Sequence, residues 1–278
     1  MREMEEGLNV ESGVAEISGA QVYYELAGEG PALVLVHAGI ADARMWDEQF
    51  RAFAQSFRVV RYDRRGFGRT QTVDGGSYSH HEDLHALLRF LGITRASLVG
   101  CSQGGKAVTD FTLEHPSMTQ ALVLVASALG GFEFEGGQPR QFEELVRADE
   151  AGDAERVNEL ELQIWVDGPH REPHEVDASI RERVREMNRI ALLASENSGA
   201  EQPLEPPAVK RLGEIGVPTL IITGDLDTPK TLAAARVLAQ KIEGAQSVVI
   251  KDAAHLPNME RPEEFNRHVL SFLGGLNL

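Results

Sequence analysis

Cysteine is almost missing from this chain of 278 residues: Cys101 stands alone. A single thiol cannot close an intrachain disulfide or build a cysteine metal cluster, and it suits a reducing compartment. Long apolar runs are missing as well. No uninterrupted stretch reaches the roughly 18 residues of a membrane-spanning helix. The opening MREMEEGLNVESG is acidic and lacks the basic-then-apolar layout of a signal peptide, so a cytoplasmic location is expected. Basic residues are the minority, 27 Lys and Arg against 43 Asp and Glu, giving a net charge of -16. With no general basic surface to attract phosphate backbones or anionic lipid, neither nucleic acid nor membrane is expected as a partner.

What is present is ordinary for a globular chain: 42% hydrophobic and 25% charged residues, enough for one main core with an insertion. GVAEISG and QVYYELAGEG alternate loosely, as strands do. ALVLVHAG and QALVLVAS are continuous apolar runs, the pattern of strands buried on both faces. Between and after them lie segments with helical spacing: MWDEQFRAFAQS, then SHHEDLHALLRFLGI with Ser79 as its expected cap, GGKAVTDFTLEHP, TPKTLAAARVLAQKI and RPEEFNRHVLSFL. Strands alternating with helices predict an α/β fold with a mostly parallel sheet covered on both faces. The alternation is interrupted over residues 131–212, where QFEELVRADEAGDAERVNELELQIWV and EVDASIRERVREMNRIALLASE read as charged helices. The expected organisation is a core of residues 1–130 and 213–278 with a helical cap at 131–212.

The turn VGCSQGG, between an apolar strand and a helix, contains Gly100-Cys101-Ser102-Gln103-Gly104, the G-x-S-x-G pattern that exposes a serine hydroxyl at the top of a sheet. A glycine turn with no chemical role is the plainer reading of so short a motif. A nucleophilic serine needs a base, and the base needs an orienting carboxylate. Of nine histidines, His255 lies in a loop just after the last strand, in IKDAAHLPNMERP. His37 also ends a strand. His80, His81, His85, His115, His170, His174 and His268 fall in helical or insertion segments and read as solvated surface. The loop TGDLDTP supplies two carboxylates, of which Asp227 is preferred because Asp225 is close enough to the strand end to fasten its own loop. The backbone NH of Gln103 is one expected oxyanion donor, and the NH of Gly39 in HAGIA is the other. Ile40, Phe132 and Trp165 are expected substrate contacts. No metal or cofactor is expected: His170 and His174 in GPHREPHE have ligand-like spacing, but Pro169 and Pro173 break any helix there.

Taken together, LVHAG, YDRRGFGRT, GCSQGG, GDLD and AAHLPNMERPEEFN make nearly the whole chain resemble the α/β-hydrolase superfamily. The resemblance implies the α/β-hydrolase fold, Ser102, Asp227 and His255 as a catalytic triad, and a mainly structural role for YDRRGFGRT. One departure is Ala38, where the family usually has the glycine of His-Gly; a methyl group there would narrow or tilt the oxyanion loop. The nearest flavours are small carboxylesterases, enol-lactonases, cofactor-free haloperoxidases and carbon-carbon bond hydrolases. The expected activity is cleavage of a small to medium carboxylic ester or lactone through an acyl-enzyme. The alternatives are a carbon-carbon hydrolase of ring-fission diketones and a non-catalytic hydrolase-like receptor. A perhydrolase side activity would need no further residue.

Overall fold

The computed structural model describes residues 8–73, 75–194 and 199–276. Its strands are β1 (Val10–Ile17), β2 (Ala20–Ala27), β3 (Ala32–Val36), β4 (Arg58–Tyr62), β5 (Gln71–Thr72), β6 (Ser77–Tyr78), β7 (Ala96–Cys101), β8 (Thr119–Val125), β9 (Ala200–Glu201), β10 (Thr219–Gly224) and β11 (Gln246–Ile250). The main sheet runs β1-β2-β4-β3-β7-β8-β10-β11. From β4 to β11 every pairing is parallel, while β1 and β2 extend the edge antiparallel.

The apolar runs form central strands because alternate side chains enter two separate cores. Leu33 and Leu35 of β3 pack with Phe50 and Phe53 of α1 (Asp47–Phe53) and with Phe265 and Val269 of the last helix, α8 (Pro262–Gly274). Val34 and Val36 point the other way, to Leu84 and Leu87 of α2 (His80–Phe90) and Val108 and Phe111 of α3 (Gln103–Glu114). The remaining helix on this second face, α7 (Pro229–Lys241), adds Leu238. Ser79 occupies the cap position of α2 with extended backbone, but its hydroxyl makes no capping bond. Because β3 and β7 are paired neighbours, the loops leaving their carboxyl ends are brought side by side. In open α/β sheets that end is where ligands bind.

Between β8 and β10 the chain forms α4 (Phe142–Glu150), α5 (Ala154–Glu161), a π-helical turn Leu162–Asp167 and α6 (Ala178–Ala194). The charged run QFEELVRADEAGDAERVNELELQIWV, helical in pattern, is therefore divided between α4, α5 and the π-helical turn. Gly152 adopts φ 69°, and Asp153 caps α5 by accepting from the Arg156 amide at 3.0 Å. Glu159 joins these helices: it accepts from Arg181 at 2.9 Å, Arg185 at 2.8 Å and Gln163 at 3.0 Å. Burial works against its charge, but these hydrogen bonds outweigh it and hold the carboxyl down at about 2, against an ordinary 4.5. A depressed carboxylate contributes stability that is complete above its unfolded value and is lost as pH falls toward the folded one. Thermal midpoints should therefore fall more steeply in wild type than in Glu159→Gln between about pH 4.5 and about 2. Equal slopes would show that this network does not hold the helices together.

Candidate active site

The turn after β7 forces its serine into an unusual backbone conformation. Ser102 has φ 53° and ψ −116°, where few residues other than glycine are found. Its amide donates to Val125 O at 2.9 Å, and its carbonyl accepts from Lys106 and Ala128, both at 3.0 Å. These bonds hold the strain of the turn in place. The flanking glycines answer to crowding. A Cβ on Gly100 would lie 2.4 Å from Gly104 O, and one on Gly104 would lie 2.3 Å from Val36 O. Helix propensity alone would favour alanine at position 104 by roughly 1 kcal/mol. The backbone clash dominates, so Gly104→Ala should destabilise the protein by about 3 kcal/mol in urea unfolding. A stabilised variant would mean that β3 and α3 are less closely fixed than this packing requires.

Cys101 is buried under the turn, where burial pushes its thiol well above the usual range, so it stays protonated. Its Sγ lies 3.8 Å from the carbonyl oxygen of His255. The histidine loop is thereby seated against the serine turn. His255 Nδ1 is 2.9 Å from Asp227 Oδ2 and 3.1 Å from Oδ1, with both residues buried. An ionised carboxylate only accepts, so Nδ1 carries the proton and Nε2 the lone pair. Asp227 Oδ1 also accepts from the Thr228 amide at 2.6 Å, which fixes the carboxylate plane. Asp225 is engaged elsewhere: its amide donates to Ile250 O at 3.0 Å, and its carboxylate pairs with Lys251 at 3.2 Å. Among the described residues no hydrogen bond joins Ser102 to His255; the two meet through Cys101.

The loop after β3 packs against the start of α3. Gly39 lies so close to the Gln103 side chain that an added Cβ would fall 2.5 Å from it. Gln103 opens the helix and keeps one of the free amides of a helix start. His37 has no nitrogen left to act as a base. Its Nε2 accepts from the Arg64 amide at 2.9 Å and its Nδ1 donates to Ala38 O at 2.8 Å. Burial first, and then the Arg64 charge, hold it well below the usual histidine range, so it remains neutral. Ala38 is buried and its amide points to Met45 Sδ at 3.3 Å, which leaves Gly39 as the next amide of the loop. In YDRRGFGRT, Asp63 accepts from the amides of Ala43 and Arg69 at 2.8 and 2.7 Å, and Arg65 forks onto Asp83 through two bonds of 3.1 Å.

A cavity of about 690 Å³ lies beside the histidine loop, lined by Phe132, Phe134, Phe142, Ile164, Trp165 and Thr228 among others. Trp165 joins it to the histidine: its ring centroid is 4.7 Å from that of His255. Ile40, in contrast, is packed in the core with Met45, Trp46 and Leu256 and does not line this cavity. Ser102 and His255 lie outside its lining. Sequence reasoning missed Arg171 and Glu260. Arg171 donates to Glu260 Oε2 at 2.6 Å and to the carbonyls of Val166 and Asp167 at 2.8 Å each. Glu260 Oε1 accepts from the Ala254 amide at 2.8 Å. The pair ties the turn carrying Trp165 to the residue preceding His255. Glu260 lies in AAHLPNMERPEEFN and Arg171 in GPHREPHE, but nothing in either run pairs one with the other, so only the fold reveals the link.

Comparison with known proteins places the chain as a whole. The chain is 27% identical to a pimeloyl-[acyl-carrier protein] methyl ester esterase of Aeromonas hydrophila, over 91% of this chain and 99% of that protein. It is 30% identical to a putative non-heme chloroperoxidase of Synechocystis sp., over 91% and 94% of the two chains. Among solved structures it is similar to the enol-lactonase of Burkholderia xenovorans, with a TM-score of 0.76, 26% identity and coverage of 94% of this chain and 99% of that one. The family model described as alpha/beta hydrolase fold matches residues 31–262, and the chain belongs to that family.

Proposed function

We propose that this protein is a serine hydrolase that cleaves a small to medium carboxylic ester or lactone through an acyl-enzyme. The observation that carries the reading is the buried His255–Asp227 pair, seated by Cys101 against a turn that holds Ser102 at φ 53°. In this reading Nε2 of His255 removes the Ser102 hydroxyl proton as Oγ attacks the substrate carbonyl. The Gly39 and Gln103 amides hold the oxyanion, supported by the start of α3. Collapse of the tetrahedral intermediate breaks the ester C–O bond, and the proton passes from His255 to the leaving alkoxide. Water activated by the same histidine then releases the acid and regenerates Ser102. For a lactone, alcohol and acid leave as one molecule.

Residues 131–212 act in this reading as the cap that selects substrate. Their aromatic side chains Phe132, Phe134, Phe142 and Trp165 line the cavity, with Arg140 and Lys230 also on its wall. Glu133 and Glu161 line it as well, so the cations do not leave it net positive, and the lining favours an apolar or aromatic group on the substrate. The esterase and the enol-lactonase among the similar proteins support ester or lactone chemistry.

The test is steady-state hydrolysis of aryl esters of increasing acyl length, beside lactones and ring-fission diketones, with labelling by a fluorophosphonate. Turnover of esters or lactones with label on Ser102 is expected. Preferential cleavage of diketones would replace the reading with carbon-carbon hydrolysis. Folded protein that binds these compounds without turning them over would replace it with a receptor.

A further inference from the structure

His81, His85 and His115 read in sequence as solvated surface, yet the fold gathers them around one carboxylate. Glu82 and His85 lie one turn apart, with His85 Nδ1 3.6 Å from Glu82 Oε2. His115, at the far end of α3, brings Nε2 to 3.2 Å from Glu82 Oε1. One donor atom from each of these three residues falls within 4.8 Å of the other two. His81 stands four residues before His85, and its Nε2 is 3.9 Å from Glu82 Oε1.

We propose that Glu82, His85 and His115 form a binding site for a divalent transition-metal ion of the zinc class. Ligands about 2.0–2.1 Å from a tetrahedral zinc lie roughly 3.4 Å from one another. His115 lies 3.2 Å from Oε1 and His85 3.6 Å from Oε2 of the Glu82 carboxylate, and with all three donor atoms within 4.8 Å of one another, small side-chain rotations bring them to that spacing. Two imidazoles and one carboxylate select zinc, nickel, copper or cobalt over magnesium and calcium, which require mostly oxygen ligands.

The helices that carry these side chains are held in the core, and only the imidazole rings need turn to meet an ion. Leu84, Leu87 and Leu88 anchor α2 in the core, and the His115 amide donates to Phe111 O at 2.7 Å. The His115 ring stacks on His85, with centroids 3.9 Å apart and planes at 27°, and also rests against Phe111. Glu82 is exposed and both histidines are half-buried, so an ion can enter from solvent. Occupancy would clamp α2 to the end of α3 opposite Ser102. The site takes no part in the proposed hydrolysis.

The experiment titrates tag-free, metal-stripped protein with zinc sulfate, followed by calorimetry and thermal melting. Cobalt substitution gives a visible ligand-field band as an independent readout. One saturable equivalent is expected, with the melting midpoint raised by about 5 °C at hundredfold excess over Kd. His115→Ala and Glu82→Gln should each weaken binding by about tenfold or more. Glu82→Gln leaves the His115–Phe111 packing intact, so its result reads ligand loss and not misfolding. The double variant His170→Ala/His174→Ala should bind as wild type does. Absence of saturable uptake by wild type, or uptake unchanged in Glu82→Gln, would overturn the proposal.

Discussion

Ser102→Ala is expected to lower kcat for an aryl ester by a factor on the order of 10⁴ or more, because the acyl-enzyme can no longer form. The variant should remain folded. Alanine at φ 53° meets the same backbone strain as serine, and the amide and carbonyl bonds of residue 102 to Val125, Lys106 and Ala128 involve no side-chain atom. Stopped-flow release of an aryl alcohol, run beside thermal melting, separates the two effects. Loss of the initial burst with an unchanged melting midpoint fits Ser102 as nucleophile. Turnover within tenfold of wild type would remove the serine mechanism while leaving the fold assignment intact.

Asp227→Asn should cost about 10⁴-fold in kcat, although it changes a single atom. The Thr228 amide donates to Oδ1 at 2.6 Å, so the asparagine carbonyl oxygen will keep that position. Its NH₂ group then faces His255 Nδ1 and requires a lone pair there. The imidazole proton moves to Nε2, and the atom that should accept the Ser102 proton already carries one. At high pH hydroxide can take over part of the base's role, so the deficit should narrow as pH rises. A pH–rate profile of wild type and variant between neutrality and mild alkali tests this. A variant that keeps near-wild-type rates at neutral pH would mean that Asp227 positions no essential tautomer.

How far the sequence reaches is clearest around these residues. GCSQGG specifies part of its turn locally, since a Cβ on Gly100 would lie 2.4 Å from Gly104 O, whereas the need for glycine at position 104 comes from Val36 of the neighbouring strand β3. The apolar runs of β3 and β8 likewise dictated central strands, since alternate side chains enter both cores. Where local signals compete, the reading was less sharp. A charged helical run does not reveal that Gly152 and Asp153 break it, and a serine before a helix does not reveal whether its hydroxyl bonds to the first turn, as Ser79 does not. Ile40 reads as a loop side chain facing substrate, and the structure buries it in a cluster that also holds Val166 and Met187 of the insertion.

By itself the sequence determined the fold class, the position of the serine turn, and the loops that carry Asp227 and His255, because each depends on short-range periodicity or turn chemistry. Only the tertiary structure decided the rest. It placed the Asp227 carboxylate 2.9 Å from His255, and it drew both nitrogens of His37 into staples. It set Trp165 between His255 and an aromatic cavity and joined that turn to the histidine loop through Arg171 and Glu260. It also brought His115 against Glu82, 33 residues away in the chain. Such contacts join residues far apart in sequence, and their distances follow from how helices pack on the twisted sheet, a relation that no spacing along the chain encodes.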